Sequence, residues 1–234
     1  MKSIKDLSIG KKLIPAVLAV SILGIIVLVV MIYQRNSSIQ TKSAIENAKN
    51  LAGKYAKDVQ AQLEVPMDAA RTLAQVMELF ETLEPADRRD YYNAVLRGVL
   101  KANSDFIGVW SCWEPNALDG LDEQYSDTKG NDSTGRFIPY WNRGGGSISM
   151  EPLIDYDKHG PGDYYQVPLN TGRESIIDPY FYPIAGKEVL ITSVVVPIKN
   201  NGSVLGVAGI DVKLSNLQDL VQSIQPYQTG VAAL

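Results

Sequence analysis

From Leu13 to Tyr33 the chain runs for 21 residues without a charge, most of them Leu, Ile, Val or Ala. A helix rises about 1.5 Å per residue, so a run of this length reaches across the roughly 30 Å hydrocarbon core of a bilayer. A transmembrane helix over 13–33 is expected. A cleaved secretory signal is the rival reading, but such signals have shorter apolar cores followed by a small-residue cleavage site. Here Met31-Ile32-Tyr33-Gln34-Arg35 follows instead, with Tyr33 placed for the membrane interface. Lys2, Lys5, Lys11 and Lys12 precede the run against Asp6 alone. The positive-inside rule therefore leaves residues 1–12 as a cytoplasmic tail and puts everything beyond about Arg35 outside.

Outside the membrane, Ile45, Ala48, Ala52, Tyr55, Val59, Leu63, Met67, Ala70, Ala74, Met77 and Phe80 recur at spacings of three and four. This is one apolar stripe on a long helix from Ser38 to about Leu83, able to serve as stalk, packing spine or dimer contact. Pro66 predicts a kink or restart within it. Glu84-Pro85-Ala86-Asp87 reads as the start of a second helix that ends near Ala102. The texture then changes. Phe106 to Trp113 is a β-rich run, and Glu114 to Gly135 is loop, dense in Asp, Asn, Gly and Pro. Val189 to Ile198 and Val204 to Val212 are strands joined at Asn200-Asn201-Gly202-Ser203, where Asn-Gly signals a tight hairpin. Leu214, Leu217, Leu220, Val221 and Ile224 mark an amphipathic helix ended by Pro226. Gly230 to Leu234 reads as the opening of a further strand that the chain does not complete, as in a truncated piece of a longer protein.

Composition excludes several functions. A net charge of −4 with no Lys/Arg cluster does not suit nucleic acid, whose phosphates require a concentrated basic face. With one cysteine, Cys112, no internal disulfide forms, and Cys112 reads as a small buried hydrophobe. His159 stands in a loop-like stretch with no triad or ligand pattern near it, so neither a metal nor a cofactor is expected. A hydrolase would need a nucleophile, a base and an oxyanion donor in convergence, and no such motif occurs. A glycosidase-like pair drawn from Glu114, Asp163 and Asp178 stays open as a remote alternative, and so does a purely structural ectodomain.

Most of the rings fall in one stretch: Trp110, Trp113, Tyr140, Trp141, Tyr164, Tyr165, Tyr180 and Tyr182, interleaved with Asp163, Asp178 and Asp211. Such a mixture suits a pocket whose apolar walls grip a small molecule while a few polar groups orient it. An ordinary aromatic core is the plainer reading of the same residues.

The ordered series Trp113-Glu114-Pro115-Asn116, Gly135-Arg136-Phe137-Ile138-Pro139-Tyr140-Trp141, Asp163-Tyr164-Tyr165-Gln166-Val167-Pro168, Asp178-Pro179-Tyr180 and Gly206-Val207-Ala208-Gly209-Ile210-Asp211-Val212 resembles the double-Cache, PAS-like sensor region of bacterial methyl-accepting chemotaxis proteins. The resemblance implies an α+β fold: a transmembrane helix, a long stalk helix, and a membrane-distal module in which an antiparallel sheet is flanked by helices. The sensor region would span residues 38–225, with 226–234 opening a membrane-proximal module. It further implies small-molecule binding, a homodimer and a cytoplasmic signalling region not contained in this sequence, of chemotaxis, histidine kinase or cyclase type. In amino-acid-binding members an Arg two residues before a Trp-Tyr pair holds the ligand carboxylate, and the Asp of Gly-x-x-Gly-x-Asp holds its amino group. Tyr164-Tyr165 matches the pair, Gly162 stands where the Arg would be, and Asp211 is retained. An amine or another small polar metabolite is the expected ligand, unless Arg136 or Arg143 replaces the missing carboxylate contact.

Overall fold

The computed structural model describes residues 9–215, which divide between two compact units, 1–54 and 55–234. Helix α1, Ile9–Met77, contributes to both. Within the first unit it carries the apolar run with every described side chain exposed, and it is long and apolar enough to cross a membrane. The expected restart at Pro66 does not occur, because the helix continues through it. From Met67 onward, Ala70, Leu73, Ala74 and Met77 are buried against the sheet. That burial, worth roughly 1.5–3 kcal/mol for each large side chain, offsets the backbone bond that Pro66 cannot make.

In the second unit, a short 3-10 turn at Phe80–Thr82 leads into α2, Pro85–Ala102. Pro85 takes the first helical position, where its missing N–H costs nothing, and Asp87 and Lys101 complement the two ends of the helix dipole. Strand β1, Phe106–Trp113, is buried throughout, as its nearly continuous apolar sequence requires. The following loop holds one turn of helix, α3, Asp122–Tyr125. Then come β2 (Pro139–Asn142), β3 (Ser149–Pro152), α4 (Asp163–Thr171), β4 (Ser175–Ile176), β5 (Tyr180–Ile184), β6 (Lys187–Asn200) and β7 (Ser203–Lys213). The seven strands form one antiparallel sheet in the order β3-β2-β1-β7-β6-β4, with β5 also pairing β6.

The β6–β7 hairpin turns at Asn201 and Gly202 with φ of 50° and 84°, the positive values that a two-residue turn between twisted strands demands. Of the helix expected from Leu214 to Ile224, all but its first two residues lies outside the described residues, as does the strand opening at 230–234.

Two cores lie on the two faces of the sheet. One joins α1 and α2 to Val109, Trp113, Val194, Ile198, Ala208 and Ile210. The other gathers Trp110, Cys112, Tyr140, Tyr164, Tyr165 and Tyr182 under α4 and the loop before it.

Candidate functional site

Alternation along the strands separates the rings that the sequence lists together. Trp110 and Trp113 are three residues apart on β1 and so project to opposite faces. Trp113 packs against Phe80 and Tyr92 in the helix-side core. Trp141 packs at the edge of that core, donating its indole N–H to Asn93 at 2.9 Å with the Arg97 guanidinium above its ring. Trp110, Tyr140, Tyr164, Tyr165 and Tyr182 come together on the other face, with Tyr180 packed beside them. Trp110 meets Tyr164 edge-on at 5.1 Å, and Tyr164 stacks with Tyr180 at 6.2 Å.

Asp211 sits at the base of this cluster and is 2% exposed. Its Oδ1 accepts hydrogen bonds from Trp110 Nε1 at 2.9 Å and Ser193 Oγ at 2.7 Å. The Tyr140 hydroxyl is buried nearby without a hydrogen bond of regular geometry. Burial pushes the Asp211 carboxyl above its usual range, against the opposing effect of the donors around it. Two glycines make room for the rings. A Cβ at Gly209 would fall inside the Trp110 indole, and one at Gly108 inside the Tyr140 ring.

A groove of about 380 Å³ opens on this face, within the range of small-molecule sites. Its walls include Asp163 and Tyr164 of α4, Ile176 of β4, and Asp178, Pro179 and Tyr180. Asp178 is exposed at its rim, whereas Asp211 lies behind the Tyr180 wall and does not line it. A larger groove, about 680 Å³, runs between α1 and the start of β1, but Phe106 is its sole ring and Asp105 its sole charged side chain. The smaller groove has the better chemistry for recognition.

Neither arginine considered for a carboxylate contact is free to make one there. Arg136 donates to Trp113 O at 2.8 Å, to Glu114 Oε1 at 3.1 Å and to Tyr165 Oη at 2.8 Å. Arg143 donates to the carbonyls of Leu100 and Asn103 at the end of α2. Gly162 cannot be exchanged for the missing arginine, because a Cβ at that position would run into the carbonyl oxygens of Asp155 and Lys158. Glu114 is turned toward Arg136 and Tyr165, away from Asp163 and Asp178, so these three acids do not converge. His159 is fully exposed and Cys112 fully buried, as their contexts suggest. Among the described residues no group of acids, His and Cys could hold a metal ion.

The rings and the buried Asp211 thus share one face of the antiparallel sheet. Residues 92–219 match the family described as "Methyl-accepting chemotaxis protein-like, first PDC sensor domain". The chain belongs to this family. It is 35% identical to methyl-accepting chemotaxis protein TlpQ of Pseudomonas aeruginosa over 59% of its own length, and that match spans 21% of TlpQ. Among solved structures, the extracellular domain of mmHK1S-Z2, assigned as a histidine kinase, superposes with a TM-score of 0.73 at 38% identity, covering 80% of this chain and 67% of that one. Methyl-accepting chemotaxis protein X gives 0.65 at 26% identity, over 80% and 68%. The α+β sensor fold read from the sequence is thus the fold of the family.

Asp163, one of the acids interleaved with the rings, has a place in the groove and accepts a hydrogen bond from Gly160 N at 2.9 Å. One residue of the candidate site has no counterpart in the sequence reading: Ser193, a lone polar residue on the buried face of β6. The signal for Ser193 was the interruption of an otherwise apolar strand. Its pairing with Asp211 depends on a bulge between Ile198 and Lys199, which no local motif announces.

Proposed function

We propose that this chain is the extracytoplasmic ligand-sensing region of a membrane-anchored chemotaxis receptor, and that its ligand is a small molecule rich in N–H donors, an amine foremost. The apolar part of α1 anchors it with residues 1–12 in the cytoplasm, and the sensor occupies 38–225, followed by a membrane-proximal module beginning near residue 226. The exposed stretch of the apolar stripe around Ile45 suits pairing with a second copy of the chain, whereas the stretch from Met67 is already spent on the sheet. The chain's role is binding and not catalysis.

The observation that carries the ligand class is the polarity of the site. Asp163 and Asp178 line the groove, Asp211 lies buried behind it with neutral donors only, and no Lys, Arg or His is among the lining residues. A buried carboxylate without a cation is costly, and a ligand ammonium reaching it through the Tyr164–Tyr180 wall would relieve that cost, with cation–π attraction of about 0.5–2 kcal/mol from the rings. An organic acid would meet like charge.

Thermal-shift measurements on the solubilised chain test this, since a ligand that binds the folded state alone raises its melting temperature. Primary amines should raise it and matched organic acids should not. The reverse order would refute the ligand class. A second output is supported by the likeness to mmHK1S-Z2: the same sensor fold coupled to a histidine kinase.

A further inference from the structure

Ser193 is fully buried on β6, and its single hydroxyl touches two members of the site. Asp211 Oδ1 lies at 2.7 Å and Tyr180 Oη at 2.8 Å. A serine hydroxyl has one proton, and an ionised carboxylate can only accept. Ser193 therefore donates to Asp211, which leaves Tyr180 as donor to Ser193. The contact is held in place from both sides. Ser193 pairs with Asp211 across β6 and β7, its carbonyl accepts from Ile177 N at 2.9 Å, and Thr192 Oγ1 donates to Ile177 O at 2.7 Å. These bonds tie the segment ahead of Tyr180 to the strand.

We propose that Ser193 is a positioning residue of the ligand site: it draws the Tyr180 hydroxyl proton inward to Asp211, so that Tyr180 meets the groove with lone pairs alone. This rests on the reading of the groove as the ligand site. Tyr164, the other tyrosine of the lining, also spends its hydroxyl proton inside the protein, on Ile154 O at 2.5 Å. With Asp163 and Asp178 as carboxylates, every polar side chain of the lining then offers an acceptor, and a ligand is selected by the donors it brings. Without Ser193, Tyr180 regains a proton to give, and the groove loses part of its preference for N–H over carboxylate or carbonyl partners.

Around Asp211 stand Trp110 from β1, Tyr140 from β2, Tyr180 and Tyr182 from β5 and Ser193 from β6, and no charged side chain among the described residues pairs with it. Its ionisation can be followed through the Trp110 indole N–H, which it accepts directly. The experiment uses the full chain in lipid nanodiscs with nitrogen-15-labelled tryptophan, the Trp110 signal being assigned by Trp110→Phe and its titration by loss in Asp211→Asn. Ser193→Ala removes a donor to the charged form and should raise the titration midpoint by about one pH unit, while Ser193→Thr, which keeps the hydroxyl, should hold it near the wild-type value. In parallel, calorimetry with butylammonium and butyrate should show the preference for butylammonium falling about tenfold in Ser193→Ala, the worth of one charge-assisted bond. An unmoved midpoint in Ser193→Ala overturns the proposal, and so does an unchanged probe preference. A moved midpoint in a chain that binds neither probe would sink the amine reading of the groove and leave the relay through Ser193 standing.

Discussion

Replacing Arg89 by Met removes a side chain that is 4% exposed and lies between two carboxylates, Asp119 and Asp122, whose side chains are 0% and 7% exposed. Its Nε and Nη2 grip Asp119 at 2.7 and 3.2 Å, Nη2 also reaches Asp122 at 2.6 Å, and Nη1 donates to Gly135 O at 2.8 Å. The guanidinium lies 4.0 Å from the centroid of the Tyr125 ring. Through these bonds a residue of α2 fastens both ends of the loop between β1 and β2. Stripping the cation from one buried pair costs about 3–5 kcal/mol, and here two carboxylates and a carbonyl lose it together, which places the loss near 5 kcal/mol. For a domain of roughly 150–250 residues that corresponds to a fall in melting temperature of about 10–20 °C. Thermal melts followed by circular dichroism on the solubilised chain measure it directly. Arg89→Lys keeps the charge but lacks the planar fork that serves both acids and should lose about half as much. A melting temperature within about 3 °C of wild type for Arg89→Met would mean that the loop is held by other contacts and that the carboxylates do not depend on this cation.

Three further outcomes are expected. Burial raises the Asp211 carboxyl, so its ionisation costs stability; that cost is absent below the unfolded-state value and builds as pH rises through the higher folded-state value. Asp211→Asn should therefore melt higher than wild type at about pH 7, with the gain shrinking toward about pH 4, while butylammonium binding weakens about tenfold or more; a variant less stable than wild type at neutral pH contradicts this. Gly209→Ala forces a methyl into the Trp110 indole, for which overpacking of about 1–3 kcal/mol is expected together with a changed near-ultraviolet tryptophan signal, and a variant indistinguishable from wild type in both would refute the close approach. In Ser126→Cys an impermeant maleimide should label intact cells at this exposed loop position, with buried Cys112 silent, whereas labelling only after lysis would reverse the proposed topology.

The elements legible in the sequence are those whose local signals agree with their tertiary setting. Helix α2 starts at Pro85 and ends at Ala102 as its punctuation says, β1 coincides with its apolar run, and the hairpin turns where Asn-Gly demands positive φ. The short strands β2, β3 and β5 carry no such signature. They are four or five residues long, and their pairing is imposed by neighbours on the sheet. Helix α4 contains Pro168 and borders Gly162 and Gly172, a composition that reads locally as loop. Arg89 looked like any charge on an amphipathic helix, and only the return of the chain at Asp119 and Asp122 makes it a buried centre.

The site was legible in chemistry more than in geometry. Strand period alone separates Trp110 from Trp113, since an odd spacing puts them on opposite faces, and that rule was available from the sequence. Register was not. Counting back from Asn200 opposite Ser203, Ser193 would face Ile210, and Asp211 would face Thr192 instead of Ser193. The bulge opposite the Ile198–Lys199 step leaves Leu205 of β7 without a cross-strand partner, shifts the register by one residue and brings Ser193 beside Asp211. A single inserted residue near the hairpin tip thus decides which side chain the buried carboxylate meets. The same holds at Gly162, where the absence of arginine looks like a simple loss. The carbonyls of Asp155 and Lys158 occupy the space that any side chain would need, so the backbone of the turn before α4 itself keeps an arginine out of this position.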